Sequence, residues 1–135
     1  PFFVQGLHDG LHGNLLSALH ILVPQLENSI RWMLTDIGVV TSSIDTDGIQ
    51  KEHDINAMLY EPRLVEVFSE DIIFMLRALL VEKAAVNFRN QLAHGMLEYG
   101  AFFGETALYI WWLVLHLCAL GAPRATAEAT ADRDG

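Results

Sequence analysis

The apolar spacing between Leu15 and Ile37 constrains the fold more than any other feature of this sequence. Large apolar residues recur there every three or four positions, at Leu15, Leu19, Leu22, Leu26, Ile30, Met33 and Ile37. That period places them on one face of a helix. Pro24 lacks an amide donor and predicts a kink or a restart of this helix, and Gly38 predicts its end.

Further helices are predicted downstream. Ser69 can cap a second long helix whose first turn carries Glu70 and Asp71. Short helical pieces are expected over 51–60 and 64–68, with Pro62 between them. A last helix should run from about Ala101 to Leu120, ended by Gly121 and Pro123. No strand-length alternation stands out, so we expect an all-α fold, an antiparallel bundle of about four to five helices.

The segments between and beside these helices are rich in small and polar residues. Thr41 to Gly48 is turn chemistry and predicts a long surface loop. Gly6, Gly10 and Gly13 weaken any helix near the N-terminus, so a solvated, frayed segment is expected there. We expect one helical domain over 1–121 and a disordered tail over 122–135.

Composition and charge narrow the possible partners. Apolar residues make up 52% of the chain and charged residues 19%, so apolar surface remains to be covered, and we expect a homodimer. The formal charge of −9 has the wrong sign for broad attraction to phosphate, so any contact with RNA must be local.

The sequence also bears on compartment and membrane contact. Cys118 is the only cysteine, which fits a reducing compartment, and the cytoplasm is the expected location. The apolar stretch from Ala107 to Leu120 has about fourteen residues, fewer than the roughly 18–20 that span a bilayer, so a buried helix is expected and not a membrane span. The absence of an initiator methionine suggests a piece of a longer protein.

The strongest candidate for a functional segment is the run Arg89-Asn90-Gln91-Leu92-Ala93-His94-Gly95. Metal-free cleavage of RNA needs a base for the 2′-hydroxyl proton and a cation for charge that develops on the phosphate, and histidine and arginine suit these roles. Five helical steps turn about 140°, so Arg89 and His94 would not share a helix face, whereas Asn90 and His94 would. The run should therefore straddle a helix end, or Arg89 should reach around, or a second copy should complete the site.

This run resembles the R-x4-6-H signature of the HEPN superfamily. With Pro24-Gln25-Leu26-Glu27 and Arg31 upstream, the pattern is similar to the domain of unknown function 4209 family, a branch of that superfamily, over most of residues 10–120. The resemblance implies a dimerising helical domain and a metal-independent endoribonuclease for RNA processing or defence, with no cofactor. It implies that Arg89 and His94 are catalytic and that Asn90 supports them. Other members are non-catalytic.

Plainer interpretations stand beside these. Arg89 and His94 could be a capping arginine and a satisfied histidine, as expected of a non-catalytic interaction module. Glu27 and Arg31 are four apart, which is typical of a surface ion pair; alternatively, either lines the cleft and orients His94 or a phosphate. Trp111, Trp112 and neighbouring aromatic residues could stack bases, but core or dimer contacts are favoured. Membrane association of the last helix is a weaker third possibility.

Overall fold

A computed structural model describes residues 1–82 and 87–131 of the protein, with side chains as far as residue 121. Within these residues the chain is mostly helical, with six α-helices and one small two-stranded sheet. The helices are α1 Phe2–Leu11, α2 Leu15–Asp36, α3 Ile55–Leu59, α4 Glu70–Leu80, α5 Phe88–Ala93 and α6 Glu105–Ala131. The strands are β1 Ser42–Ile44 and β2 Gln50–Glu52, and 3₁₀ helices span Pro62–Glu66 and Tyr99–Phe103.

The chain forms two compact units. Unit 1 combines Pro1–Leu22 with the segment from Gly100 onward, and unit 2 is Val23–Tyr99. The helical class agrees with the sequence prediction, although the six helices exceed the expected four to five because α1 and short α3 and α5 are all formed.

Unit 1 is built on the packing of α1 against α6. Its core holds Leu19, Leu22, Phe102, Ile110 and Leu113, each at most 4% exposed. The prediction of a frayed N-terminus was wrong. A Cβ atom on Gly6 would overlap Leu22, and one on Gly10 would overlap the Trp111 indole, so the glycines of α1 are where other parts of unit 1 approach its backbone closely.

Unit 2 has its own core, in which α4 packs against α3 and α5. Ser69 caps α4 as predicted, because its hydroxyl oxygen accepts a hydrogen bond from the Ile72 amide at 3.4 Å. Arg77 of α4 donates through Nε to the Leu59 carbonyl at the end of α3, at 2.7 Å. The side chains that fill this core include Leu26, Ile30, Leu34, Ile55, Met58, Leu59, Leu64, Leu76, Leu80 and Phe88.

Helix α2 confirms the clearest prediction from the sequence. It continues through Pro24 without a restart and ends before Gly38, which has a φ of 85°. The Gly38 amide donates to the Thr35 carbonyl and the Val39 amide to the Leu34 carbonyl, both at 2.9 Å. These two bonds form the Schellman ending that glycine favours.

The predicted loop Thr41–Gly48 is in part a hairpin. Strands β1 and β2 pair antiparallel, with Ser42 opposite Glu52 and Ile44 opposite Gln50. The Asp45 carboxylate accepts hydrogen bonds from the amides of Asp47 and Ile49 and so fixes the turn. The sequence did not reveal the strands because three residues are too few to show alternation.

The last helix also differs from its prediction. A 3₁₀ helix occupies Tyr99–Phe103, and α6 then runs to Ala131 instead of ending near Gly121. Alanine, the best helix former, recurs at every second position from 125 to 131 and favours this extension. The predicted disordered tail therefore begins with helical backbone, and its residues 132–135 lie outside the described part. None of the helices described is both long and apolar enough to cross a membrane.

Candidate functional site

Helix α5 carries the Arg89-to-His94 run on a single short element. Phe88 and Leu92 are 2% and 9% exposed and anchor it in unit 2. Asn87 precedes it with a left-handed φ of 49°, which asparagine tolerates better than most residues. His94 is the C-cap, and Gly95 follows with a φ of 64°. The run therefore straddles a helix end, one of the three arrangements predicted from its spacing.

Arg89 is held by Glu27 of α2. Its Nε donates to Glu27 Oε2 at 3.0 Å and its Nη2 to Glu27 Oε1 at 3.2 Å. The two side chains are 21% and 14% exposed, so the pair is largely withdrawn from water. A two-pronged contact of this kind fixes the plane of the guanidinium as well as its position.

Glu27 also contacts Arg31, one helical turn further along α2. Arg31 Nη2 lies 3.4 Å from Glu27 Oε1 and donates to the His53 carbonyl at 2.9 Å. The i,i+4 pair expected from the sequence is therefore formed, but with Arg89 as a third member. One carboxylate stands between two guanidinium groups.

Arg31 has one nitrogen whose hydrogen bonding is incomplete. Its Nε lies 3.5 Å from Glu52 Oε2, close enough for an ion pair, but the atom is buried and forms no hydrogen bond of acceptable geometry with the residues described. Glu52 belongs to β2, so the hairpin supplies this contact. A buried donor without a partner costs about 1–3 kcal/mol.

Asp54 adds a further carboxylate beside Arg89. It is the N-cap of α3, and its Oδ1 accepts from the Ala57 amide at 3.0 Å. That hydrogen bond lowers the pKa of Asp54, and the Asn56 amide and the positive charge of Arg89 act in the same direction, against partial burial. Asp54 therefore stays ionised next to the cluster.

The charges of this cluster nearly balance. Arg31 and Arg89 face the carboxylates of Glu27, Glu52 and Asp54. An anion that approaches Arg89 therefore competes with Glu27 and does not meet an unpaired cation.

Asn90 and His94 differ in the contacts that their side chains make. Asn90 Oδ1 accepts from Arg89 Nη1 at 3.3 Å, so Asn90 belongs to the cluster. His94 is exposed, and its imidazole makes no hydrogen bond or ion pair with any residue in the described ranges. Glu27, Arg31, Arg89 and Asn90 are brought together, and none of them bonds to the side chain of His94.

Three neighbours of the cluster were not singled out from the sequence: Glu52, the His53 carbonyl and Asp54. Asp54 precedes Ile55 in a pattern typical of an N-cap, so its capping role was recognisable. Its place beside Arg89 depends on tertiary structure that no local pattern carries.

The aromatic residues near the last helix divide between core and surface. Phe102 and Trp111 are 4% and 8% exposed, which confirms the expected core role for these two. Tyr109 and Trp112 are 45% and 43% exposed, and Trp112 stacks on the His116 ring with centroids 5.1 Å apart. All of them belong to unit 1, not to the unit that carries the cluster.

No family model, curated protein or solved structure matches this chain.

Proposed function

We propose that this domain is a metal-independent endoribonuclease of the HEPN type, with a site composed from two copies of the chain. The observation that carries the proposal is the contrast between two groups on one short helix. Arg89 is oriented by Glu27 and Asn90, whereas His94 keeps an exposed imidazole at the helix end.

The reaction is transesterification within the RNA strand. The 2′-oxygen attacks the adjacent phosphorus, the bond from phosphorus to the 5′-oxygen breaks, and the products are a 2′,3′-cyclic phosphate and a free 5′-hydroxyl. His94 takes the proton from the 2′-hydroxyl or returns one to the leaving oxygen. Arg89 binds the phosphate as negative charge builds on it, and Asn90 positions Arg89. Glu27 and Arg31 hold the cluster in place.

Two considerations support a site shared between copies. Residues five apart on an ideal helix lie about 140° apart around its axis, which disfavours Arg89 and His94 of one chain meeting at the same phosphate. A two-fold axis that brings the His94 of one copy opposite the Arg89 of the other would create two equivalent sites.

The first test is cleavage of a labelled structured RNA in excess chelator. Wild-type protein should cleave it, and Arg89→Ala and His94→Ala should each lose activity while mass measurements still show a dimer. His8→Ala is the control because His8 is also an exposed histidine, with 63% of its side chain accessible. Retained activity in either site variant, or no cleavage by a folded wild-type dimer, contradicts the proposal.

Mixing the two inactive variants tests the shared site directly. Half of randomly paired dimers are mixed, and each mixed dimer has one intact Arg89–His94 combination if the site spans two copies. Activity should then recover to about a quarter of the wild-type value. A site within one chain would give no recovery.

A second candidate is a non-catalytic interaction module. It is favoured by the near balance of charge around Arg89, which fits a structural role, and by exposed Leu108, Tyr109 and Trp112 on α6. In that case Arg89→Ala should lower the unfolding midpoint, and there should be no RNA-dependent activity to lose.

A further inference from the structure

A cleft of about 730 Å³ lies between α2 and the β1–β2 hairpin in unit 2. Helix α2 lines it with Asn28, Trp32 and Thr35, and the hairpin lines it with Ser42, Gln50 and Glu52. Its volume falls within the roughly 300–1,000 Å³ typical of small-ligand sites. Nothing in the sequence pattern pointed to it.

Trp32 is the aromatic side chain that lines this cleft. It is 67% exposed, which is unusual for the side chain with the largest apolar surface. It lies on the same helix as Glu27 and Arg31. An exposed indole beside a cleft offers a flat surface on which a planar ring can stack.

Several of the other lining groups are polar and hydrogen-bond one another. Gln50 Nε2 donates to Ser42 Oγ at 3.2 Å and lies 3.4 Å from Glu52 Oε1. The hydroxyls of Thr35 and Thr41 are 3.1 Å apart. Amide and hydroxyl groups can both donate and accept, as the edge of a nucleobase requires.

The charge in the cleft argues for a neutral ligand with amino groups. Glu52 is 56% exposed there, and its carboxylate repels a phosphate but accepts hydrogen bonds from an exocyclic amine. Arg31 lines the same cleft, and its Nη2 also donates to Glu27 Oε1 at 3.4 Å. The cleft and the Arg89 cluster therefore share a side chain.

We infer that this cleft binds one unpaired, amino-bearing base of the RNA strand, stacked on Trp32 with its exocyclic amine donating to Glu52. The inference rests on the proposed ribonuclease function and names the part of the substrate held next to the cleaved phosphate. It makes the preferred substrate a single-stranded segment with cytosine, adenine or guanine at this position.

The test is binding of a labelled ten-nucleotide cytidine strand with 2′-O-methyl sugars, which cannot be cleaved because they lack the nucleophilic hydroxyl. Fluorescence anisotropy in chelator should show affinity reduced about 5- to 100-fold by Trp32→Ala. Trp32→Phe should retain most of the affinity because a ring remains. Phe74→Ala is the matched control, because it removes another exposed aromatic ring of unit 2 that does not line the cleft, and it should bind as the wild type does.

A uridine strand tests the role of Glu52. Uracil stacks much as cytosine does but has no exocyclic amine, so wild-type protein should bind cytidine several-fold more tightly. Glu52→Gln should reduce this difference. Equal binding of the two strands by wild-type protein overturns the assignment to Glu52.

The outcomes separate the two proposals. Cleavage with unchanged RNA affinity in Trp32→Ala overturns the base site and leaves the ribonuclease standing. Binding that depends on Trp32, without any cleavage of ordinary RNA, overturns the ribonuclease and leaves the base site standing. Absence of RNA binding by folded wild-type protein overturns both. Urea unfolding midpoints for each variant show that the fold is intact.

Discussion

Arg89 and Glu27 are joined by two hydrogen bonds although they lie 62 residues apart in the chain. The contact links the first turn of α5 to α2, and Arg31 Nη2 contacts Oε1 of the same carboxylate. Arg89, a predicted catalytic residue, is therefore also part of the structural framework of unit 2.

Replacing Glu27 with glutamine should lower the free energy of unfolding by about 2 kcal/mol, between the values for exposed and buried ion pairs. The reason is that two largely buried guanidinium groups lose their shared counter-ion. Urea denaturation measures the change. Glu66→Gln is the control because Glu66 pairs with Arg63 at the surface, where the two side chains are 48% and 45% exposed, and its midpoint should change little. Equal losses in the two variants would contradict the importance of burial.

Asp54→Ala should lower the free energy of unfolding by about 1 kcal/mol at pH 7, through loss of the α3 N-cap. The pKa of Asp54 is lowered in the folded protein, chiefly by the hydrogen bond from the Ala57 amide. Ionisation of Asp54 therefore makes its full contribution to stability at pH values above the pKa of the unfolded carboxyl, about 3.9. This contribution is lost as the pH falls through the lower pKa that Asp54 has in the folded protein. Unfolding of both proteins at pH 7 and pH 3.5 should show the difference shrink in acid; a constant difference would contradict it.

Gly95→Ala should destabilise the domain by about 1–2 kcal/mol, because a φ of 64° is strained for a residue with a Cβ atom. Gly95→Asn is the matched comparison, since asparagine tolerates this conformation better. Thermal unfolding should rank the wild type first, the asparagine variant second and the alanine variant last. The same order in RNA cleavage would connect the helix ending to the placement of His94. An alanine variant as stable as the wild type would show that α5 can end in another way.

Gly10→Ala should lower the free energy of unfolding by about 1–3 kcal/mol, because the added methyl group would overlap the Trp111 indole. Gly100→Ala tests whether any loss of glycine has this effect, since a Cβ atom there meets nothing within 4 Å. Chemical denaturation of both variants should show a loss for the first alone. If Gly10→Ala were as stable as the wild type, α1 would be able to shift away from α6 at little cost.

The helices that could be predicted from the sequence are those with strong local signals. Helix α2 was predictable from seven periodic residues, and α4 from its Ser69 cap. Helix α1 was missed because its glycines lower helix propensity, although Gly6 and Gly10 are the places where packing partners come closest. Tertiary contact outweighed propensity there.

The site was predictable only in pieces. The spacing of Glu27 and Arg31 indicated a pair, and the Arg89-to-His94 run indicated a helix end. The bond between Glu27 and Arg89 was not predictable, since nothing local to either residue specifies a partner 62 positions away. Glu52 and Asp54 come near these residues through a hairpin whose strands are too short to recognise.

Unit 1 is built from two segments that lie far apart in the sequence, so its parts are synthesised at different times. Helix α1 is synthesised long before α6, against which it packs and which begins only at Glu105. At a synthesis rate of roughly 5–20 residues per second, the apolar face of α1 stays uncovered for about 5–20 s before α6 is made. Within unit 2, Glu27 likewise precedes Arg89 by about 3–12 s. A nascent chain stalled before residue 89 therefore has a Glu27 carboxylate that lacks its Arg89 partner and an α1 helix that is uncovered. The uncovered apolar face is the kind of surface that molecular chaperones bind in incomplete proteins.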